Sequence, residues 1–276
     1  MASVPAAKSL DPGESPLHFF GSELRHHRVR AGLTQDQLGA RVNYSGDLVS
    51  KIETGEQAPT PEFAERCDEE LGTDGALTRL LVMVRWAAFP SWLRPWVEAE
   101  REARTLRNWQ PIVVPGLLQT ADYARALLRA QPGVTAEQIE EQVATRLERH
   151  AVLDRDEPPM LWFVIDEGVL HRSAGGPKVM QEQLQAFVEA SSHTHVTIQV
   201  VPLSAGVHPG HVGAFGIVSF DGSPDVVYLD SVRAGQVSDR PDDVQAVMNI
   251  WEAIRAEAMP ARASLDLITR VMEQWT

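Results

Sequence analysis

The run TQDQLGARVNYSGDLVSKIETG, Thr34 to Gly55, carries two short helix signatures separated by only two residues. Thr34 and Gln37 match the reciprocal capping pattern that opens a helix, and Leu38 and Val42 fall on its inner face. Ser45 opens the second helix, because its hydroxyl can accept from the free amides of the first turn. Leu48, Val49 and Ile52 then share one face, which leaves Gly46, Asp47, Ser50 and Lys51 pointing away from it. Gly55 ends the helix. With only Asn43 and Tyr44 between them, the two helices cannot lie antiparallel and must cross at a steep angle.

Working outward, Leu17 to Ala31 reads as a preceding helix that buries Leu17, Phe20 and Leu24, with Gly32 just past its end. Thr60-Pro61 starts a fourth helix with the stripe Phe63, Cys67 and Leu71, proline standing where a missing N–H costs nothing. Gly72-Thr73-Asp74-Gly75 stops it. A fifth helix follows from Ala76 to Ala88 with Leu77, Leu80, Leu81 and Val84 inward.

Arg28, Ala31-Gly32-Leu33-Thr34-Gln35, Leu38, Val42, Ser45, Val49-Ser50, Ile52-Glu53, Gly55 and Pro59 together resemble the Xre/Cro and phage-repressor helix-turn-helix. The resemblance implies double-stranded DNA as partner, with the helix at 45–53 in a major groove. It implies that Arg28 reaches both a phosphate and Glu53, bracing that helix. It also implies that Gln35 takes a phosphate at the opening of its own helix, beside Thr34, where free amides and the dipole attract anions. The candidate DNA contacts are Arg28, Thr34, Gln35, Ser45, Gly46, Asp47, Ser50, Lys51 and Thr54, with Glu53 as structural brace. Lys51 can donate to guanine and Asp47 can accept from a cytosine amino group. Gly46 permits close approach, at a helix cost of about 1 kcal/mol relative to alanine.

Charge pulls the other way. The chain carries a formal net charge of −13, whereas a protein that coats nucleic acid is basic. Residues 17–71 hold six Arg or Lys against ten Asp or Glu. Five of those acids fall on Glu62 to Glu70, while Arg25-His26-His27-Arg28-Val29-Arg30 gathers positive charge on the first helix. DNA then meets a locally positive face on an acidic body, with few phosphate contacts and a modest salt dependence.

At 276 residues, two domains are the default. No apolar run is long enough to cross a bilayer, and residues 1–16 lack the apolar core of a secretory signal. We read them as a flexible arm on a cytoplasmic protein. Cys67 is the single cysteine, which excludes an internal disulfide and any cysteine-rich metal site. The helix-turn-helix domain spans 17–88. Residues 89–153 read as a helical connecting region: a helix at 97–106, an extended stretch around Pro111 and Pro115, and helices at 121–128 and 135–153. The face of Ile139, Val143 and Leu147 suits either a core or a dimer seam. Four of the seven tryptophans, Trp86, Trp92, Trp96 and Trp109, fall in or beside this region, among Arg94, Arg101, Arg104 and Arg107.

From residue 154 to 276 the apolar period drops to two. Strands are predicted at 160–166, 196–202, 213–220 and 225–230, the last two a hairpin through Asp221-Gly222-Ser223-Pro224. Helices are predicted at 177–190, 242–258 and 264–274. The fold class is therefore a mainly α, five-helix N-terminal domain plus an α+β C-terminal domain with a small mixed or antiparallel sheet, helices on one side.

This second half has its own likeness. NWQPIVVPGLLQTADYARALL (108–128), Asp166-Glu167, Ala174-Gly175-Gly176, IQVVP (198–202), Gly206-Val207-His208, Gly210, Gly213-Ala214-Phe215 and PDVVYLD (224–230) resemble the C-terminal region of WhiJ-type regulators. The resemblance implies an antitoxin-like regulator whose partner is a short protein encoded beside it. Trp92, Trp96, Trp109, His208 and His211 are the candidate effector or partner pocket. Two imidazoles across Pro209-Gly210 do not make a specific metal-ligand spacing, and no hydrolase, nucleotide or zinc-protease motif is present. The expectation is a homodimeric regulator without enzymatic activity, metal or cofactor. The alternative is an interaction module in which DNA binding is secondary.

Overall fold

The computed structural model describes residues 11–275, and the chain divides into two compact units, 1–89 and 90–276. The expected arm at 1–16 falls mostly outside the described residues. From Asp11 onward the chain is a turn, in which the Asp11 carboxylate accepts from Gly13 N at 2.9 Å.

The first unit is α1 (Pro16–Arg30), α2 (Gln35–Val42), α3 (Gly46–Glu53), α4 (Pro61–Leu71) and α5 (Ala76–Ala88). Four of the five starts carry a hydroxyl cap: Ser15, Thr34, Ser45 and Thr60 each accept from the amide three residues on. Thr34 and Gln37 complete the reciprocal capping pair. Asn43 ends α2 in the left-handed region at φ 61°, which a short polar side chain tolerates. One core unites the helices through Phe20, Leu24, Leu38, Val49, Ile52 and Phe63. Cys67 is buried in it, and burial pushes its thiol up to about 12, so it packs as a small apolar group.

The start of α5 lacks a hydroxyl of its own and borrows a carboxylate from α4. Asp68 accepts from Leu77 N at 2.9 Å, Thr78 N at 2.8 Å and Thr78 Oγ1 at 2.6 Å, and also from Thr73 Oγ1. It ties α4, the 72–75 turn and α5 together with one charge at a helix N-terminus.

The second unit runs α6 (Arg94–Glu102), β1 (Thr105–Gln110), α7 (Ala121–Arg129), α8 (Ala136–Glu148), β2 (Met160–Asp166), α9 (Gly168–His171) and α10 (Pro177–Ala190). It continues β3 (Val196–Val201), β4 (Phe215–Ser219), β5 (Val226–Leu229), β6 (Gln236–Ser238), α11 (Pro241–Glu257) and α12 (Ala261–Met272). One six-stranded mixed sheet has the order β3-β2-β1-β4-β5-β6. β1, β2 and β3 are parallel, and β4, β5 and β6 add antiparallel.

Three expectations change here. Residues 89–153 are not a connector, because β1 pairs with both β2 and β4 at the middle of the sheet. The helix expected at 97–106 stops at Glu102, and Thr105 and Leu106 already belong to the strand. Helices cover both faces: α10 and α12 pack on Leu161, Phe163 and Ile198, while Trp251 and Ile254 of α11 pack on Val164 and Ile217. Of the two readings left open for the α8 stripe, the core is the one seen: Ile139 and Val143 bury against Ala124 and Leu128 of α7. Among the described residues no helix is long and apolar enough to cross a membrane.

Burial alone would raise the Asp68 carboxyl, but the hydrogen bonds from Thr73, Thr78 and the Leu77 and Thr78 amides outweigh it and hold the group below the ordinary carboxylate value. A depressed folded value contributes stability that is present above the unfolded value and lost as pH falls through the folded one. Asp68→Ala is expected to destabilise the first unit by about 2 kcal/mol at neutral pH. In urea titrations that difference should shrink below about pH 4; a pH-independent difference would refute the assignment.

Candidate nucleic-acid interface

The angle between α2 and α3 is set by three glycines that leave no room for a side chain. A Cβ at Gly39 would stand 2.8 Å from Tyr44 O and 2.9 Å from Gly46 N, so α2 closes onto the turn that follows it. A Cβ at Gly21 would stand 2.5 Å from Ile52 O, which seats α1 against the end of α3. A Cβ at Gly46 would meet the Asp36 carboxylate at 1.9 Å and Asp36 Cα at 2.9 Å. Gly46 is thus required by packing of α3 on α2, and the close-approach role expected of it toward DNA is not needed to explain it.

One buried charge pair then locks α3. Arg28 Nε donates to Glu53 Oε1 at 2.5 Å and Nη2 to Oε2 at 2.8 Å, with 8 % and 2 % of the two residues exposed. The remaining guanidinium arm, Nη1, donates to Leu33 O at 2.7 Å, the carbonyl just before α2. Gln35 Nε2 also donates to Glu53 Oε2, at 2.8 Å. The brace from Arg28 to Glu53 is present as expected. Arg28 and Gln35, both expected at phosphates, donate here to Glu53, and Arg28 is buried. Thr34 is likewise engaged, its hydroxyl accepting from Gln37 N and its own N–H donating to Gln37 Oε1.

What remains outward on α3 is a short polar face. Asp47 and Lys51 are exposed and Ser50 is half-buried. Ser45 is exposed but caps Leu48 N at 3.1 Å, and Thr54 turns its hydroxyl back to Ser50 O at 3.0 Å. Lys51 Nζ sits 2.9 Å from Asp47 Oδ2, and that bond and charge raise the ammonium above its ordinary value. The two residues expected to read bases therefore engage each other. The basic run on α1 divides too. Arg25, His26 and Arg30 are exposed, His27 stands 3.9 Å from Glu23, and Arg28 is buried.

The pocket expected in the second unit does not assemble. Trp96 packs on one face of the sheet and Trp109 on the other. Trp92 and Trp96 gather at Tyr228, with ring centroids 6.4 and 5.3 Å away. Trp109 instead meets His208 edge-on at 5.4 Å and donates to Gly210 O at 2.9 Å. His208 Nδ1 accepts from Gly210 N at 3.2 Å, which leaves the proton of the neutral ring on Nε2, 3.6 Å from Asp166 Oδ2. Nδ1 thus helps close the 208–213 loop while Nε2 lies toward Asp166, and the His211 ring is tilted beside it at 4.4 Å. Among the described residues no group of three His, Cys, Asp or Glu side chains is placed to hold a metal ion.

Sequence reasoning missed Gly21, Gly39 and Asp36. A glycine inside a helix was the available signal for the first two, because it costs about 1 kcal/mol unless packing requires it. Asp36 gave no signal, since an acid in a first helical turn is ordinary.

Residues 20–81 match the model of a family described as a helix-turn-helix domain, and residues 93–270 match one described as a domain of unknown function (DUF5753). No curated protein and no solved structure matches the chain.

Removing one partner of a buried pair strands the other charge. Glu53→Ala is expected to cost about 3 kcal/mol in urea unfolding, whereas Lys51→Ala on the open face should stay within about 0.5 kcal/mol. Equal small losses at both positions would mean that the brace does not hold α3.

Proposed function

The chain belongs to the family described as a domain of unknown function (DUF5753), and for this member we propose a sequence-specific transcriptional regulator of the Xre type that reads double-stranded DNA with α3. Its helix-turn-helix domain makes it a DNA-binding regulator at the coarser level. The observation that carries the finer reading is the clamp of Arg28 and Gln35 on Glu53, anchored by Arg28 to Leu33 O, which fixes α3 from behind and leaves Asp47, Ser50 and Lys51 on its outer side. A groove-reading helix needs that rigidity, because side chains held on a regular element read bases more selectively than mobile ones.

In this reading the protein acts as a homodimer on a two-fold site with half-sites about one turn apart. The exposed amides and hydroxyls around Thr34 and Ser45, with Arg25 and Arg30, supply a small number of phosphate contacts. Lys51 and Asp47 exchange their mutual bond for base edges. The second unit senses a ligand or a short protein encoded next to it, in the antitoxin-like manner that the WhiJ resemblance implies.

A second reading has its own support. The Asp47–Lys51 pair neutralises the only lysine on α3, Asp36 lies against Gly46, and the chain is acidic overall at −13. These features suit a unit whose α3 face binds protein, with DNA secondary.

Footprinting on the promoter of its own locus at physiological salt separates the two. A protected pseudo-palindrome is expected. Lys51→Ala should weaken the best site by roughly 1–3 kcal/mol and relax one base position. No protection on any fragment of the locus, or an unchanged base preference in Lys51→Ala, would overturn groove reading by α3.

A further inference from the structure

Residue 46 opens α3, at the edge nearest α2 of the outward row formed by 46, 47, 50 and 51. In a helix-turn-helix the N-terminal residues of the second helix are the ones that meet base edges. Glycine offers no side chain for that task. The space is nevertheless filled, because an ideal Cβ on Gly46 would fall on the Asp36 carboxylate and stand 2.9 Å from both Asp36 Cα and Cγ. A side chain from α2 thus occupies the place from which residue 46 would read.

That carboxylate has no other use. Asp36 is exposed, and among the described residues no side chain or amide hydrogen-bonds to it and no cation pairs with it. The groups around it are all engaged. Thr34 and Gln37 cap each other, Gln35 holds Glu53, and Lys51 is taken by Asp47. The first turn of α2 favours an acid for its dipole, but that favour does not require contact with the next helix. Glycine is a poor helix residue, and at 46 it has one evident effect, which is to admit Asp36.

We propose that Asp36 is a specificity-determining residue whose carboxylate, passing over Gly46, accepts from the amino group of a cytosine in the major groove. An ionised carboxylate can only accept, and cytosine presents an amino donor where guanine and thymine present acceptors. Cytosine therefore answers the charge, while guanine or thymine leaves it unpaired against other acceptors. Phosphates repel the same charge on every sequence. Asp36 thus lowers binding to all DNA and returns the loss at one base, so that its selectivity comes from the penalty on wrong partners. The proposal rests on groove reading by α3 and adds to it a reader supplied by α2.

The test uses the full chain: base selection from a randomised duplex library, and fluorescence anisotropy on the selected site and on random-sequence duplexes. Asp36→Ala is expected to relax one cytosine position, different from the one that Asp47→Ala relaxes. It should also lower the ratio of selected-site to random-DNA affinity about tenfold. Asp36→Asn should move that position from cytosine to adenine, because an amide both donates to N7 and accepts from N6. A probe on the DNA covers the case of a variant that melts low. N4-methylcytosine keeps Watson–Crick pairing but loses its groove-side N–H. Placed at each selected cytosine in turn, it should still weaken Asp47→Ala about tenfold at one position. An unchanged base preference in Asp36→Ala, with every sequence bound more tightly, would mean that Asp36 only repels phosphates and would overturn the proposal. So would Asp47→Ala that ignores N4-methylcytosine at every position. A wild type with no base preference at all would overturn groove reading by α3 and the Asp36 role with it, whereas the first two results leave groove reading standing.

Discussion

Everything in the first unit that bears on DNA depends on Glu53 being out of water. A carboxylate that is 2 % exposed is unfavourable by several kcal/mol unless it is met by charge and hydrogen bonds on both oxygens. Here Arg28 meets both oxygens and Gln35 adds a third donor. Because Arg28 also reaches Leu33 O, one guanidinium joins α1, the start of α2 and the end of α3. Such a pair adds little net stability over an apolar substitute, yet it ties the three helices together at one point. Gly21, Gly39 and Gly46 allow that placement by letting backbones meet where any side chain would collide.

The same logic explains why the elbow was legible in the sequence and its chemistry only partly so. Caps, turn and apolar spacing are local, so Thr34, Ser45, Thr60 and the helix at 76–88 could be read directly from neighbours in the chain. The Arg28–Glu53 pair spans 25 residues and came from family resemblance, not from spacing. That resemblance carried a phosphate role along with it, while three of the guanidinium's five N–H bonds go to Glu53 and Leu33 O. Gly46 was ambiguous for a physical reason: an absent side chain serves equally to admit a ligand or a neighbouring helix, and only the position of Asp36 decides between them.

In the second unit the strands that alternate cleanly were found, while β1 and the short β6 were not. Only Ala103 and Arg104 separate VEAERE from TLRNWQ, with no glycine or proline between, and only Leu106 and Trp109 of the strand are deeply buried, so its period of two is nearly invisible. The partners that make it a strand, Leu161 to Ile165 and Phe215 to Val218, lie roughly 50 and 110 residues later. Reading 89–153 as a connector followed from that miss. Once β1 is central, the tryptophans cannot share a pocket, because Trp109 on the strand and Trp96 above it belong to opposite faces.

The two units deal with charge in opposite ways, and the contrast orders their roles. In the first, every deeply buried charge has a named answer: Glu53 has Arg28, and Asp68 has four donors. Even on the open face Lys51 holds Asp47, an exposed pair that water and salt screen and that a better partner can displace at little cost. A surface in that condition is ready to trade internal bonds for external ones of similar strength, and selectivity then comes from geometry more than from excess charge. In the second unit Arg149 is answered by Glu100 while Arg146, three residues earlier, has only a neutral amide. A guanidinium withdrawn from water without a carboxylate is a standing cost to the fold.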